Sequence, residues 1–407
     1  MKVIYISKYF NTPSESETGS RGFHICRELS RFGYDVKVLA SKSSHNYENT
    51  NFKKAFNKKY FEKLNVIFIK TIQFMKKRSL ARIISWIEFE MKCFYFIARQ
   101  KTKPDVIIAS SLSFLSIITG LLLKLIFKVK LIIEIRDIWP LTLVEIGGFS
   151  TKNPLIYLMS KFEEAGYKYS DAIVGTMPNL KEHVENITKK HSPVFCIPQG
   201  VSEEHKQTIN FSQKEISNKY DFIPQNKFIV GYAGSFGSAN AMHYLFEAAK
   251  ETTNRDIHYV FVGDGDLKSK FLKKYGHLSN VTVGPRLKKH DVAGFLSQCD
   301  VLAFATVSSK IYKYGTSLNK LIDYMLAAKP CLCIYDGYDE IIAQANCGFI
   351  LQETDSVKIA HKINQISEMP KNELREMGLN GKKWLEENRT FPILAKKYIK
   401  IFSSINY

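Results

Sequence analysis

The chain has 407 residues, of which 45% are hydrophobic and 24% are charged, and it contains seven cysteines. This composition argues against a disordered or fibrous protein, and the length favours two domains over one. The cysteines show no paired metal-binding spacing, so we expect reduced thiols and no zinc domain. The net charge of +19 predicts an anionic partner.

The chain begins directly with a short apolar run, Val3–Ser7, without a longer apolar segment or a small-residue cleavage site behind it. A secretory signal peptide needs both features. We therefore expect the protein in the cytoplasm.

Strand-like runs alternate with helix-like segments through the first half of the chain. This alternation predicts a parallel sheet with helices on both faces. The runs are Val3–Ser7, Asp35–Ala40, Asn65–Lys70, Val106–Ala109, Leu131–Ile135, Ala172–Gly175 and Val194–Ile197.

Residues 106–127 are long enough to raise the alternative of a membrane-spanning helix. Serine, glycine and lysine interrupt this stretch, and the residues after it resemble another buried strand. We therefore interpret residues 106–135 as a strand, a helix and a strand of one sheet.

The positive charge is concentrated between Phe52 and Lys103, where fourteen Lys or Arg residues stand against three Glu residues. The periodicity predicts a basic amphipathic helix over residues 78–103, which we interpret as a contact to an anionic membrane surface. The alternative is a surface helix whose apolar stripe packs on a sheet. The predicted basic face comprises Arg78, Arg82, Ser85, Glu88, Lys92, Arg99 and Lys103, and the apolar face comprises Leu80, Ile83, Ile84, Ile87, Met91, Phe94 and Ile97.

A polar stretch from Ser202 to Asn226 precedes a second series of alternating runs. The pattern predicts an α/β protein with two doubly wound, Rossmann-like domains, at residues 1–198 and 227–390, joined by a linker at 199–226. We expect the active site in a cleft between them. The second series is Phe228–Ala233, His258–Val262, Val281–Val283, Val301–Ala305, Pro330–Ile334 and Phe349–Leu351.

A glycine-rich turn, Gly231–Gly237, follows the first of these strands and precedes a predicted helix at 241–250. Backbone N–H groups at such a turn can bind a diphosphate, although a simple strand–helix turn has the same pattern. A nicotinamide-dinucleotide site is a rival interpretation, since Asp264 ends the next strand, but the glycine spacing does not fit it. We interpret Asp264-Gly265-Asp266 as a turn and predict no metal.

The segment Tyr314–Pro330 places Lys320 and Asp323 three residues apart on one face of a predicted helix. There the ammonium could bind phosphate and the carboxylate could accept two ribose hydroxyls. The alternative is an ordinary ion pair on the surface of the helix.

This segment resembles the nucleotide-sugar signature of glycosyltransferase family 4, within the glycosyl transferases of group 1, with Leu318 and Ala328 replacing the usual proline and glycine. The subgroup it resembles transfers N-acetylated deoxyamino sugars such as N-acetylfucosamine in O-antigen and capsule assembly. Gly315 stands where many family members carry a glutamate, so the motif does not assign the sugar. Similar motifs are Tyr9-Phe10, Gly19-Ser20-Arg21, Arg136–Pro140, Ile197–Gly200, Gly231–Gly237 with Asn240, and Gly263–Gly265.

The resemblance implies a GT-B fold, with a C-terminal helix at 391–407 that crosses back onto the first domain. It implies a retaining transfer from a UDP-sugar to a polyprenyl-diphosphate-linked saccharide at the inner face of the cytoplasmic membrane, without a metal or another cofactor. The catalytic residues implied are Arg136, Asp137 and Lys320. The donor-binding residues implied are Gly19, Ser20, Arg21, Gly234, Ser235, Gly237, Asn240, Gly263, Asp264, Arg286, Gly315, Ser317, Asn319, Lys320, Leu321 and Asp323.

Within that set, Asp323 is implied to hold the ribose, and Lys320 with the Gly234–Gly237 turn to hold the diphosphate. Arg136 and Asp137 would orient the sugar or the acceptor hydroxyl, unless they form a salt-bridged strand end.

Two other classes of protein stay open from the residues alone, a nicotinamide-dependent oxidoreductase and a non-enzymatic binder of anions or nucleic acid. No nucleic-acid-binding motif supports the last, so we expect no nucleic-acid partner.

Overall fold

The computed structural model describes residues 1–13, 19–42, 54–74, 80–111, 113–189, 191–207, 220–338 and 341–405. The chain divides into two compact units, of which the first comprises Met1–Pro198 and Phe391–Tyr407 and the second comprises Gln199–Thr390. Residues 199–226, taken as a linker in the sequence, thus fall within the second unit, although 208–219 lie outside the described residues.

The described part of the first unit contains an eight-stranded sheet. Its strands are β1 Lys2–Tyr9, β2 Asp35–Ser41, β3 Phe56–Phe61, β4 Leu64–Ile69, β5 Val106–Ser110, β6 Lys130–Ile135, β7 Ala172–Gly175 and β8 Val194–Cys196. Their order is β3-β4-β2-β1-β5-β6-β7-β8, and only β3 is antiparallel to its neighbour among these strands. Each run predicted from the sequence overlaps a strand, because parallel strands buried on both faces are continuously apolar.

Strand β3 is the one described strand of this sheet that the sequence reading missed. It forms a hairpin with β4 at the edge of the sheet, and the residues at its centre, such as Lys58 and Lys59, are exposed. Lysine is common on edge strands because its charge discourages pairing with other chains. Because these lysines interrupt the apolar run by which the other strands were predicted, β3 was not.

Helices cover both faces of the first sheet. The helices are α1 Arg21–Arg31, α2 Leu80–Ala98, α3 Leu115–Phe127, α4 Leu141–Glu145, α5 Pro154–Tyr169, α6 Leu180–Thr188 and, at the C-terminal end of the chain, α15 Phe391–Ile405. Helix α15 packs on α1, with the Phe391 ring stacked on His24 at a centroid distance of 4.6 Å. Residues 106–135 form β5, α3 and β6 as predicted. None of the described helices is long and apolar enough to cross a membrane.

The second unit contains a fully parallel sheet of six strands among its described residues. Its strands are β9 Phe228–Ala233, β10 Ile257–Val262, β11 Val281–Val283, β12 Val301–Ala305, β13 Cys331–Ile334 and β14 Gly348–Leu351, in the order β11-β10-β9-β12-β13-β14. Its helices are α7 Glu203–Gln207, α8 His243–Glu251, α9 Lys268–Tyr275, α10 Lys289–Ser297, α11 Asn319–Leu326, α12 Ile341–Ala345, α13 Ser356–Ser367 and α14 Lys371–Asn388. The predicted α/β class, with two doubly wound units, is confirmed.

Helix α2 presents the opposite face to the one predicted. Leu80 and Met91, assigned to the packed apolar face, are 78% and 69% exposed, and Ile83, Ile84 and Ile87 are exposed as well. The buried residues of the helix are Ser85, Phe89, Glu90, Cys93 and Ile97, so only Ile97 of the predicted apolar face is buried. Arg78 lies outside the described residues.

Buried polar contacts explain this orientation of α2. The Nζ atom of Lys8, on β1, donates to the carbonyl oxygen and the hydroxyl of Ser85 at 2.8 and 2.9 Å. On the same side of the helix, the Glu90 carboxylate accepts hydrogen bonds from the Ser113 and Ser116 hydroxyls at 2.9 and 2.6 Å. A buried charge that loses its partners is costly, so these contacts hold the polar side of α2 inward. The apolar stripe is left outside.

Candidate active site

An open cavity of about 540 Å³ lies at the carboxyl ends of β9 and β10 in the second unit. Parallel sheets commonly bind ligands at this edge. Eight of the donor-binding residues named from the sequence line it, namely Gly234, Ser235, Gly263, Asp264, Arg286, Asn319, Lys320 and Asp323. The structure therefore brings these residues together within one unit.

Two glycine loops cross at the floor of this cavity. Gly234 N–H donates to the Val262 carbonyl at 3.0 Å, and a Cβ atom on Gly263 would lie 1.8 Å from the Gly234 carbonyl oxygen. A Cβ atom on Gly234 would in turn lie 2.6 Å from Cε of Lys320. Glycine is required at Gly263 because the two backbones approach too closely for a side chain, whereas a side chain at Gly234 would displace that of Lys320. This close packing places Lys320 directly against the first loop.

The Lys320 ammonium is held without a carboxylate partner among the described residues. Its Nζ atom donates to the Tyr232 hydroxyl at 2.9 Å and to the Asn240 side-chain oxygen, and it lies 4.5 Å from the centroid of the Tyr232 ring. Burial lowers the pKa of Lys320 to about 8. A partly desolvated ammonium with neutral partners is well suited to bind an anion.

Asp323 does not pair with Lys320, so the alternative of an ion pair along the helix is not what the structure contains. Its Oδ1 atom lies 2.8 Å from Nε2 of His205, on helix α7. The sequence reading missed His205, because 118 residues separate the two side chains and no local motif links them. The carboxylate still reaches the cavity, whose lining includes it.

Tyr232 is a second residue of the site that the sequence reading missed. The tyrosine is buried in β9, and its hydroxyl donates to the Ser235 carbonyl at 2.8 Å. Asn240 donates to the same carbonyl at 2.9 Å through its amide nitrogen. Burial raises the pKa of Tyr232, so its hydroxyl stays protonated and keeps its role as a donor. In the sequence, a tyrosine within an apolar strand indicates only the core.

Some of the other residues named from the sequence do not line the cavity and have structural positions instead. Gly315 ends a 3₁₀ turn with a φ of +84°, Ser317 Oγ accepts from the Gln199 N–H at 2.7 Å, and Leu321 is buried in the core. Gly237 precedes a 3₁₀ turn at Ser238–Asn240, so helix α8 begins at His243 and not at residue 241 as predicted.

The prediction that Arg21 contacts the donor is wrong. Its guanidinium is fully buried in the first unit, where it forms a 2.6 Å salt bridge to Glu134 and donates to the Ile197 and Pro198 carbonyls at 2.7 and 3.1 Å. The Glu134 carboxylate also accepts from the Tyr5 hydroxyl at 2.8 Å. These groups satisfy one another, so Arg21 has a structural role.

Four further residues named from the sequence lie in the first unit. Gly19 has a φ of +73°, and Ser20 N–H, just before α1, donates to the Asn11 carbonyl at 2.9 Å. Arg136 and Asp137 directly follow β6. Arg136 is half-buried, its N–H donates to the Ser111 hydroxyl at 3.2 Å, and Asp137 is exposed. Their contact with the donor stays a prediction.

The sequence and fold can be compared with those of known proteins. Residues 212–384 match the family model of Glycosyl transferases group 1. The chain is a glycosyltransferase. The probable glycosyltransferase WbjE of Pseudomonas aeruginosa is 22% identical over 330 residues, which are 79% of each chain. The capsular polysaccharide biosynthesis glycosyltransferase CapM of Staphylococcus aureus is 23% identical over 67% of this chain and 70% of that one.

Solved structures similar to this glycosyltransferase have the GT-B fold, and the chain shares that fold. Sucrose-phosphate synthase from Thermosynechococcus elongatus superimposes with a TM-score of 0.75 at 15% identity over 99% of this chain and 98% of that one. Anabaena HepE, in complex with UDP and glucose, superimposes with a TM-score of 0.67 at 14% identity over 99% of this chain and 100% of that one. The family match favours a transferase over the oxidoreductase and the non-enzymatic binder.

Proposed function

We propose that this glycosyltransferase uses a UDP-sugar donor and binds the nucleotide diphosphate in the cavity of the second unit. The observation that carries the proposal is the Lys320 ammonium, which has no acidic partner among the described residues and lies against the Gly234 loop. A diphosphate would supply the missing negative charge. The HepE complex with UDP, on a related fold, supports this choice of nucleotide.

We propose that catalysis rests mainly on stabilising the departing diphosphate. Negative charge develops on that group in the transition state, and Lys320 would stabilise it together with the Ser235 and Gly237 N–H groups. The Gly234 and Phe236 N–H groups of the same turn donate to the Val262 and Asp264 carbonyls. A pair of hydrolase-like carboxylates is not required. Arg136 and Asp137 would orient the sugar or the acceptor hydroxyl, with retention of the anomeric configuration.

No metal is part of this proposal. Asp264 and Asp266 form a D-x-D sequence, a pattern that can hold a divalent cation through hard oxygen ligands. The Asp264 Oδ1 atom instead accepts a hydrogen bond from the Gly265 N–H at 2.8 Å, which stabilises the turn. Lys320 would neutralise the diphosphate charge in place of a cation.

We infer that the acceptor is a lipid-linked saccharide, and that the product enters a surface polysaccharide. The name of CapM describes capsular polysaccharide biosynthesis, and the motifs resemble family 4 transferases of N-acetylated deoxyamino sugars. A lipid-linked acceptor would place the enzyme at the inner face of the cytoplasmic membrane.

Helix α2 supports a membrane contact, but through the face opposite to the basic one. Large apolar side chains, among them Leu80, Ile84 and Met91, are exposed along the helix. The segment from Phe52 to Lys103, which contains this helix, carries a strong excess of basic residues. An exposed apolar stripe within a basic segment fits the interface of a bilayer with anionic lipids. We propose that α2 lies on such a membrane with its apolar stripe inward.

Titration calorimetry with UDP, NAD and duplex DNA, followed by turnover assays with a panel of nucleotide sugars, tests the donor proposal. We expect binding of UDP alone among the three, and turnover of one or a few UDP-sugars. Binding of NAD, or a lack of UDP binding by folded protein, would contradict it.

Flotation with vesicles of phosphatidylglycerol and phosphatidylcholine tests the membrane proposal. We expect Met91→Asp to reduce the bound fraction, because a carboxylate at the apolar interface is unfavourable. Val357→Asp, at an exposed apolar position in the second unit, is the matched control and should bind as the wild type does. Equal binding of the two variants would contradict a role for this face.

A further inference from the structure

The segment that begins the second unit is tied twice to the segment that carries Lys320 and Asp323. Gln199 N–H donates to Ser317 Oγ at 2.7 Å, and His205 Nε2 lies 2.8 Å from Asp323 Oδ1. Between these ties, Val201 is buried in the core of the unit. Helix α7 therefore has a fixed position relative to α11, although it has only five residues.

Asp323 stands between two cavities. It lines the large cavity described above and also a small one of about 50 Å³ that His205 lines as well. The Oδ1 atom is engaged by the imidazole, and no hydrogen bond to Oδ2 is found among the described residues. One oxygen of the carboxylate is thus fixed by the protein, and the other is left to accept from a ligand.

The contact adds little to the stability of the fold. The side chains of His205 and Asp323 are 18% and 31% exposed, and partly exposed pairs of this kind typically contribute at most about 1 kcal/mol. The contact also favours ligand binding, because an aspartate already held in one rotamer loses less conformational entropy when a ligand binds. It therefore bears on ligand binding as well as on folding.

We propose that His205 is a positioning residue that holds the Asp323 carboxylate in the orientation that accepts the ribose hydroxyls of the donor nucleotide. The imidazole donates Nε2–H to Oδ1, and Oδ2 accepts from the sugar. This inference rests on the proposed UDP site. It assigns to His205 a specific effect on recognition of the ribose, and none on the diphosphate, which Lys320 binds.

Calorimetry with UDP and with 2′-deoxy-UDP separates these effects, using the full chain and four variants. We expect the wild type to prefer UDP by about tenfold, the scale of one hydrogen bond to a charged group. His205→Ala should lose most of this preference, as Asp323→Ala should, while its affinity for 2′-deoxy-UDP stays close to that of the wild type. His205→Gln, whose amide N–H can replace Nε2–H, should keep the preference.

Lys206→Ala is the matched control, since Lys206 lies on the same helix and pairs with Glu203 on the surface. It should bind both nucleotides as the wild type does. If His205→Ala weakens both nucleotides equally, or keeps the full preference, the positioning role is overturned while the UDP site stands. If the folded wild type binds neither nucleotide, the proposed function itself fails and the inference fails with it.

Discussion

Lys8 in the first unit and Lys320 in the second are both desolvated by burial, but of the two only Lys320 faces a cavity. Burial lowers the pKa of Lys8 to about 7 and that of Lys320 to about 8. Lys8 is 1% exposed, on the inner side of α2, with Ser85 as its hydrogen-bond partner. Lys320 lines the open cavity beside the glycine loops.

The difference shows that a lowered pKa does not by itself mark a binding site. Nearby Glu90 stabilises the charge of Lys8, and the helix covers it, so no ligand can reach the ammonium. The partners of Lys320 among the described residues are a phenol and an amide, which leave its charge uncompensated. Access of a ligand to the ammonium and the lack of an acidic partner, more than a lowered pKa, distinguish the candidate site from a buried polar cluster.

Breaking the buried salt bridge of the first unit should give the largest change in free energy among these predictions. In Arg21→Met, the Glu134 carboxylate would stay buried without its cation, which typically costs about 3–5 kcal/mol of unfolding free energy. Hydrogen exchange of the β6 amides measures this loss within the first unit. Arg31→Met is the matched control, because Arg31 is 45% exposed and pairs with Glu28 and Glu62, and it should cost less than about 1 kcal/mol. Similar losses in the two variants would mean that Arg21 is not the structural cation described here.

Lys320→Met should weaken UDP binding by about 1.5–3 kcal/mol, the contribution of a hydrogen bond to a charged group. The matched comparison is Lys8→Met, which removes a lysine of similar environment and should leave UDP affinity unchanged in the folded protein. Calorimetric titration of both variants measures the difference. Equal UDP affinities in the two variants would contradict the assignment of UDP binding to Lys320 and not to Lys8.

Much of the architecture was predictable because its signal is local. Buried parallel strands are continuous apolar runs, and these runs located every described strand except β3, whose edge position allows lysines. The spacing of Lys320 and Asp323 and the two glycine loops also lie within short segments, and the structure places them around one cavity. Their roles toward a ligand stay predictions.

The errors concern contacts between distant parts of the chain. The motif around Arg21 suggested a ligand contact, whereas its partner Glu134 lies 113 residues away in a buried strand. The helical pattern of α2 gave the correct element, but Lys8, 77 residues from Ser85, decides which face is buried. His205 and Asp323 are likewise far apart in the sequence. Periodicity describes a single element and contains no information on such partners.

The pH dependence of stability offers a smaller effect, which tests the burial of Lys8. The pKa of Lys8 is about 7 in the folded state and near 10.5 in an unfolded chain, so the unfolded state binds more protons between these values. The unfolding free energy should therefore rise with pH through this range, by at most about 1.4 kcal/mol per pH unit. Lys8→Met should lack this contribution. Urea unfolding at pH 7, 8 and 9 would contradict it if the wild type and the variant change in parallel.

The smallest effect is expected at Asp264, where a metal would reverse the result. Asp264→Asn keeps an oxygen that can accept from the Gly265 N–H, so UDP affinity should change by less than about 0.5 kcal/mol. Calorimetry in EDTA and in Mg²⁺ should give the same affinity for UDP, because Lys320 supplies the positive charge. A strong loss of affinity in EDTA, together with a strong effect of Asp264→Asn, would assign that charge to a divalent cation. Lys320 would then be, like Lys8, a lysine whose pKa is lowered by burial and that does not bind the diphosphate.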